Sequence, residues 1–479
     1  MEIDLKNLTI KKAHEDMVSG KYSAVDLASA YLEEIKKKDG ELHTYLEVYG
    51  DVLEQANKAD EIIKSGKAGL LTGIPISIKD NILIKGRKVS AGSKILENYT
   101  ATYDATVIEK LKKEGVIFIG RTNMDEFAMG GSTENSAYGP TKNPIDVLRV
   151  PGGSSGGAVA SVASGEVLVA LGSDTGGSIR QPASFCGMVG LKPTYGLVSR
   201  YGLMAMGSSF DQIGPIGKTV EDVEIIFNVI KGNDPKDGTS LKNSDLKLES
   251  TVKNKMKIGV PYDSLNVGGL DKDVLDSFNE SIEKLKKLGH EIVKIELPNL
   301  KYSLAVYYVL IPAEVSSNMA RFDGVKYGLR LSGENGIDDY FVTRAEGLGG
   351  EVKRRIIIGT YVLSSGYYDA YYNKANLVRE LIRDDYKKAF EKVDVIVTPT
   401  TPSVAFKIGE KANDPLQMYL EDIFTVPVNL AGVPAISVPC GFKMIDGKKL
   451  PIGLQFIANH CDEETLFKIS KDFLCEFTL

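Results

Sequence analysis

Pro151-Gly-Gly-Ser154-Ser-Gly-Gly157, followed by Asp174-Thr-Gly-Gly-Ser178-Ile-Arg180, is the stretch that decides how this chain folds. Ser154 and Ser178 each come directly after a pair of glycines. Two apolar segments lie between the glycine-rich turns: 159–163 and 167–171. A flexible linker does not contain such segments, because it has no core in which to bury them. The pattern therefore predicts buried helices and strands joined by tight glycine turns.

The composition is that of a large globular protein, with 479 residues, 43% hydrophobic and 25% charged. A net charge of −6 disfavours a stand-alone nucleic-acid binder, because contacts with phosphates need clustered Lys and Arg. The four cysteines lack the spacing of a metal site, and their sparseness favours a reducing, cytoplasmic location. No run of about 18 apolar residues marks a membrane span, so we expect no membrane association.

Alternating apolar runs and amphipathic stretches predict an α/β fold with a largely parallel sheet. The capping box Ser23-Ala-Val-Asp26 predicts a helix that continues to about Lys38. Further helices are expected at 52–65, 107–115 and 274–288, and 300–392 is expected to be mostly helical. Strands are expected at 74–78, 116–119, 167–171, 257–261, 291–297 and 393–398, with a polar surface connection at 232–256.

Ser178 is a candidate nucleophile. It follows a predicted strand and two glycines, and Pro182 suits the first turn of a helix, so free backbone N–H groups are expected around it. The N–H groups of Thr175, Gly176 and Gly177 could form an oxyanion hole, in which one donor contributes about 2.7–4 kcal/mol. On residue types alone, a nucleophile is favoured no more than the alternatives, an anion cradle or a plain turn. The Gly-Lys-Ser/Thr pattern of a phosphate loop is missing.

Lys79 is a candidate general base, although a lone lysine is usually solvated. A lysine acts as a base only when neutral, and burial lowers its pKa from about 10.4. Asp80 would raise that pKa unless strand alternation turns it to the opposite face. Ser154 can bridge Lys79 and Ser178, because a hydroxyl both accepts and donates a hydrogen bond. The alternative role of helix N-cap fits Ser155 more naturally.

Asp174 and Arg180 flank the loop that carries Ser178. They could pair and stiffen this loop, or form an incidental surface pair. None of the four histidines lies in these glycine- and serine-rich segments. Two serines and a lysine can together form a hydrolytic site that needs no histidine.

These residues are similar to the signature of the amidase signature family, above all in the block 143–157. The resemblance implies hydrolysis of carbon–nitrogen amide bonds by a Ser–Ser–Lys triad. It implies that Lys79 is the base, Ser154 the bridging serine after a cis peptide bond, and Ser178 the nucleophile. It covers nearly the whole chain and implies one α/β/α domain, 1–479, around a mixed, mostly parallel sheet. The implied parts of this domain are N-terminal helices in 1–65, a signature core in 66–231 and a helix-rich part in 257–479.

Within the family, three further pairs of segments resemble the glutaminase subunits of tRNA-dependent amidotransferases: 192–202 with 208–215, 352–356 with 366–372, and 427–434 with 451–456. The resemblance implies that glutamine is hydrolysed to supply ammonia, which converts Glu-tRNA(Gln), Asp-tRNA(Asn) or both into the amidated forms. It also implies a heterotrimer with a B subunit, which uses ATP and Mg and binds the misacylated tRNA, and a small C subunit. No cofactor or metal is expected in this chain itself.

The resemblance further implies that a tyrosine, an arginine and an aspartate hold the charged ends of glutamine. The best matches are Tyr308, Arg355 and Asp422, with Tyr307 an equal alternative to Tyr308. Arg355 would bind the α-carboxylate and Asp422 the α-ammonium. Otherwise, Arg355 belongs to a solvated basic helix face.

Two other functions compete with this interpretation. A stand-alone amidase acting on another small amide would have no use for a clamp that binds a carboxylate and an ammonium. A non-catalytic anion-binding protein would contain a Ser178 that no fluorophosphonate labels.

Overall fold

The computed structural model describes residues 3–242, 252–265, 269–412 and 414–475. Eleven strands form one sheet. They are β1 Tyr45–Val48, β2 Pro75–Lys79, β3 Ile117–Thr122, β4 Val169–Asp174, β5 Val189–Lys192, β6 Gln212–Gly217, β7 Lys257–Val260, β8 Glu291–Lys294, β9 Val395–Pro399, β10 Ala435–Ile445 and β11 Lys448–Ala458. Their spatial order is β1-β3-β2-β4-β6-β5-β10-β11-β9-β7-β8.

Helices flank this sheet. They are α1 Ile10–Val18, α2 Ala24–Leu42, α3 Val52–Lys64, α4 Thr106–Lys113, α5 Gly156–Ala163, α6 Arg180–Cys186, α7 Val220–Ile230, α8 Lys272–Lys287, α9 Ser303–Asn318, α10 Gly336–Gly347, α11 Gly350–Leu363, α12 Lys374–Phe390, α13 Pro415–Leu420, α14 Val426–Ala431 and α15 Glu463–Cys475. Among the residues with described positions, no helix is both long and apolar enough to cross a bilayer.

The predicted α/β class with a mixed sheet is confirmed, and strand directions are more evenly divided than the sequence suggests. In the described part of the chain, β2 pairs in parallel with β3 and β4, and β7 with β8 and β9. The other six pairings are antiparallel. One of these, β10 with β11, is a hairpin closed by Asp446 and Gly447, both with positive φ. Asp-Gly is the residue pair that such a two-residue turn favours.

Most of the predicted elements are present, with ends displaced by a few residues. The capping box at Ser23 opens α2, which continues to Leu42 because His43 ends it in the left-handed conformation. The helices α1 and α3 pack together at the N-terminal side, but α1 was not predicted, and neither was the short strand β1. Part of the connection expected at 232–256, residues 243–251, lies outside the described residues.

The parallel strands β2 and β4 determine where the functional residues meet. Their register pairs Ile76 with Val169 and Ile78 with Leu171, so both strands end at the same edge of the sheet. The residues of both strands are completely buried, as expected for central parallel strands covered by helices. Lys79 therefore emerges beside the loop that follows β4, which is where α/β folds commonly place their sites.

Candidate active site

Lys79 is buried at the end of β2 and contacts three hydroxyls. Its Nζ lies 2.8 Å from Oγ of Ser154, 2.8 Å from Oγ of Ser155 and 2.9 Å from Oγ of Ser173. Burial lowers the pKa of Lys79 from 10.5 to about 7, although three nearby carboxylates act in the opposite direction. A large fraction of Lys79 is therefore neutral near pH 7, and it can accept a proton from a neighbouring hydroxyl.

The carboxylate of Asp80 does not contact Lys79. It accepts hydrogen bonds from Arg121 Nη1 at 2.9 Å and from Ser90 Oγ at 2.5 Å. This is the separation that strand alternation predicts for consecutive residues.

Ser154 lies in a tightly held turn before α5. The peptide bond between Gly153 and Ser154 is cis, the feature that the resemblance implies for the bridging serine. The Gly153 N–H donates to Gln181 Oε1 at 2.9 Å, and the Ser154 carbonyl accepts from the Asp125 N–H at 3.3 Å. These bonds fix the backbone on both sides of Ser154, whose hydroxyl faces Lys79.

Ser155 occupies the N-cap position of α5, but the prediction that its side chain caps the helix is wrong. Its hydroxyl accepts from Lys79 and donates to the Ser173 carbonyl at 3.0 Å. The physical reason is that a buried lysine needs acceptors within reach, and capping would withdraw one of them. Sequence reasoning missed Ser173 as well, because its contact with Lys79 spans 94 residues and leaves no local signal.

Ser178 lies in the turn between β4 and α6 and is 8% exposed. Its carbonyl accepts from the Ser155 N–H at 3.1 Å, which joins the two serine-containing turns. The two preceding glycines are required by their surroundings. A Cβ on Gly176 would lie 2.6 Å from the Tyr307 hydroxyl, and Gly177 has φ +136° with Thr425 packed against it. Other residues would be strained or would clash at these positions.

The predicted oxyanion donors are not equally available. The Gly177 N–H donates to Asp174 Oδ1 at 2.9 Å and is therefore not free to bind an oxyanion, contrary to the prediction. The reason is that a buried carboxylate must be satisfied by nearby hydrogen-bond donors. The backbone N–H groups of Thr175 and Gly176 remain as candidates. The side chain of Thr175 is fixed by its hydroxyl, which donates to Asp211 Oδ1 at 2.7 Å.

Asp174 and Arg180 form a buried pair rather than an incidental surface pair. Nε and Nη2 of Arg180 lie 3.0 and 2.9 Å from the two carboxylate oxygens of Asp174, and both side chains are fully buried. Arg180 also donates to Gln455 and Asn429 at 2.5 Å each. Burial alone would raise the pKa of Asp174, but Arg180 outweighs it and holds the pKa at about 2. The pair anchors the Ser178 loop to β11 and α14.

The three residues proposed to bind the charged ends of glutamine lie together. The Tyr308 hydroxyl donates to Asp422 Oδ2 at 3.3 Å, and the Arg355 guanidinium lies 5.6 Å from the centre of the Tyr308 ring. Arg355 is 4% exposed, so it does not belong to a solvated basic face. Tyr307, the alternative to Tyr308, places its hydroxyl at Gly176 instead.

Electrostatics divide these residues into a permanent cation and a carboxyl that titrates near neutrality. Burial disfavours the charged form of Arg355, but Glu351 and three tyrosines more than compensate and raise its pKa. Burial raises the pKa of Asp422 to about 8, although Arg355 opposes the change.

The described residues contain no cluster of three His, Cys, Asp or Glu side chains suited to a metal ion.

The chain is similar to several known proteins. Residues 26–467 match the amidase family. The A subunit of glutamyl-tRNA(Gln) amidotransferase from Thermoanaerobacter pseudethanolicus is 54% identical over 477 residues, covering 98% of this chain and 96% of that protein. The protein of the same name from Ruminiclostridium cellulolyticum is 52% identical over 482 residues, covering 99% and 98%.

Solved structures of amidases and amidotransferase subunits share the fold of this chain. The crystal structure of the A subunit of glutamyl-tRNA(Gln) amidotransferase from Thermotoga maritima superposes with a TM-score of 0.81 at 43% identity, covering 99% of this chain and 96% of that one. Native peptide amidase from Stenotrophomonas maltophilia superposes with a TM-score of 0.81 at 26% identity, covering 98% and 97%.

Proposed function

This chain belongs to the amidase family, and we propose that it is the A subunit of a tRNA-dependent amidotransferase. It is an enzyme that hydrolyses the side-chain amide of glutamine and supplies the ammonia. The ammonia converts Glu-tRNA(Gln), Asp-tRNA(Asn) or both into Gln-tRNA(Gln) and Asn-tRNA(Asn). Identity of 54% along almost the entire length to the A subunit of a glutamyl-tRNA(Gln) amidotransferase is the observation that carries the proposal.

The contacts around Lys79 support the following chemistry. Neutral Lys79 accepts the proton of Ser154, which takes the proton of Ser178 as that oxygen attacks the side-chain amide carbon of glutamine. The backbone N–H groups of Thr175 and Gly176 donate to the oxyanion of the tetrahedral intermediate. The relay returns its proton to the amide nitrogen and ammonia leaves, so a γ-glutamyl ester remains on Ser178. Water then attacks this ester, the relay removes a proton from the water, and glutamate and free Ser178 result.

The clamp supports glutamine rather than another small amide as the substrate. Arg355 carries a buried positive charge suited to an α-carboxylate, and Asp422 is a carboxyl suited to an α-ammonium. A site for simple amides gains nothing from burying such groups, because each one costs desolvation energy.

The proposed partners are a B subunit, which uses ATP and Mg and binds the tRNA, and a small C subunit. Exposed apolar side chains support the proposal that this chain binds other subunits. Large exposed apolar side chains concentrate in α10, α11 and α12. Four of them are 69–70% exposed: Ile337, Phe341, Ile357 and Leu377. Exposed apolar side chains concentrated in consecutive helices are typical of protein-binding sites. A cytoplasmic location follows from the proposed substrates.

The test measures ammonia release from glutamine by the tagged chain purified gently from its own cells, with and without ATP and Glu-tRNA. Release that ATP and tRNA stimulate, with two co-purifying partners, supports the amidotransferase. Turnover that needs no partner, ignores tRNA and is faster on other amides would instead identify a stand-alone amidase. Failure of a fluorophosphonate to label Ser178 would indicate a non-catalytic protein.

A further inference from the structure

Glu351 lies behind the clamp residue Arg355, and no part of the chemistry above uses it. It lies one helical turn before Arg355 on α11, and its side chain is only 10% exposed. Its Oε1 accepts two hydrogen bonds, from Arg355 Nε at 2.7 Å and from the Tyr419 hydroxyl at 3.0 Å. Its Oε2 pairs with Arg354, which is half exposed. One carboxylate therefore connects the clamp arginine with a residue of α13.

Tyr419 continues this connection to the rest of the clamp. Its ring stacks on Tyr308 with the centroids 3.8 Å apart and the planes inclined by 21°. The Arg355 guanidinium lies 5.6 Å from the Tyr308 centroid and 5.8 Å from the Tyr419 centroid. Because Tyr308 in turn donates to Asp422, a continuous set of contacts runs from Glu351 to both ends of the clamp.

We propose that Glu351 and Tyr419 are positioning residues that preorganise Arg355 and Tyr308 for an α-amino-acid amide. The proposal rests on the glutaminase function proposed above. Neither residue needs to touch the substrate. Glu351 acts through the guanidinium that it holds, and Tyr419 acts through the ring on which it stacks.

Glu351 holds Arg355 through Nε, and this choice of atom determines which N–H groups stay available for the substrate. Arginine has five N–H donors in a rigid, planar fork. Among the hydrogen bonds of the described residues, the only one made by Arg355 runs from Nε to Glu351. Both Nη nitrogens thus remain for a bidentate contact with the α-carboxylate. Fixing the side chain before binding also removes part of the entropy cost of ordering it.

The charge of Glu351 matters as well. A buried guanidinium without a counterion strongly destabilises a protein. Asp422 is poorly suited to be the counterion of Arg355 in the free protein, because burial disfavours its ionised form. Glu351 supplies the counter-charge next to Arg355 before any substrate arrives. The substrate carboxylate then meets a guanidinium that is already in place, while its ammonium favours the ionised form of Asp422.

The test uses the enzyme purified with its partners and compares the variants Glu351→Ala, Glu351→Gln and Tyr419→Phe with the wild type. Because hydrogen bonds to charged groups are involved, Glu351→Ala should raise KM for glutamine about 10- to 100-fold and change kcat less than about threefold. Glu351→Gln should recover part of this loss, since its amide oxygen still accepts from Arg355 and Tyr419. Tyr419→Phe should raise KM only a few-fold, because the ring stack remains.

Two further measurements separate positioning from a general structural effect. Fluorophosphonate labelling of Ser178 and turnover of butyramide, which lacks both charged ends of glutamine, should be unchanged in all three variants. Glu33→Ala, at an exposed acid on α2, is the matched control and should behave like the wild type. The proposal is overturned if KM is unchanged in Glu351→Ala, or if labelling and kcat fall as much as KM rises.

If Glu351→Ala fails to fold, the variants Glu351→Gln and Tyr419→Phe still test the proposal. A wild-type KM for glutamine in both of them would overturn it. Failure of the glutaminase function has a different signature. The wild-type enzyme itself would then release no ammonia from glutamine, whether or not Ser178 is labelled.

Discussion

Lowering the pH should inactivate the nucleophile by protonating Lys79. The lysine is fully buried, and burial lowers its pKa from 10.5 to about 7. Since one pKa unit corresponds to about 1.4 kcal/mol, the neutral form becomes roughly 5 kcal/mol easier to reach. At pH 7 the neutral fraction therefore rises from below about one in a thousand to about one half. This change is what makes a lysine suitable as the base of the relay.

The sign of the pH dependence follows directly. The active form of Lys79 is the deprotonated one. The rate of labelling of Ser178 should therefore rise with pH, pass its midpoint near pH 7 and level off above it. Below the midpoint it should fall about tenfold for each pH unit.

The assay is the second-order rate constant for labelling of Ser178 by a fluorophosphonate between about pH 5.5 and pH 9. This probe avoids the clamp, so titration of Asp422 near pH 8 does not distort the curve. Circular dichroism at each pH verifies that the fold is intact. A flat profile over this range, or a midpoint near the ordinary lysine pKa, would refute the assignment of Lys79 as the base.

Three other substitutions test separate parts of the structure. Arg180→Met should lower the free energy of unfolding in urea by about 3–5 kcal/mol, because Asp174 stays buried without its partner. Gly176→Ala should reduce kcat for glutamine at least about tenfold while the protein still folds, because its Cβ would meet the Tyr307 hydroxyl and displace the nucleophile loop. Phe341→Asp should reduce the amount of co-purifying partner protein at least about tenfold, because it places a charge in the exposed apolar surface.

Each substitution has a matched control of the same type elsewhere in the chain. Arg330→Met removes an exposed ion pair and should leave the free energy of unfolding nearly unchanged. Gly238→Ala points into open space and should leave kcat unchanged. Leu53→Asp lies on α3, away from the apolar surface, and should keep the partners bound. Equal effects in a variant and its control would contradict the corresponding explanation.

Local sequence patterns predicted the elements that carry the site. The apolar run before Lys79 and the one before Asp174 indicated strands, and their parallel pairing places the lysine beside the Ser178 loop. The capping box at Ser23 located α2 because capping depends on residues only three positions apart.

Contacts between distant parts of the chain were not visible in the sequence. Ser173 was hidden because only folding brings it to Lys79, and Ser155 was assigned a helix cap because capping is the local preference of serine. The antiparallel hairpin of β10 and β11 does have a local signal, the turn pair Asp446-Gly447. Glu351 and Tyr419 carry no motif at all, since their role depends on the packing of α11 against α13.

The residue that carries the acyl group during turnover can be identified directly. The enzyme is mixed with glutamine, quenched in acid during steady-state turnover, digested and analysed by tandem mass spectrometry. We predict one γ-glutamyl ester, on Ser178, and no ester or ammonia release in Ser178→Ala. A γ-glutamyl group on a different residue, or undiminished hydrolysis of glutamine by Ser178→Ala, would show that Ser178 is not the nucleophile.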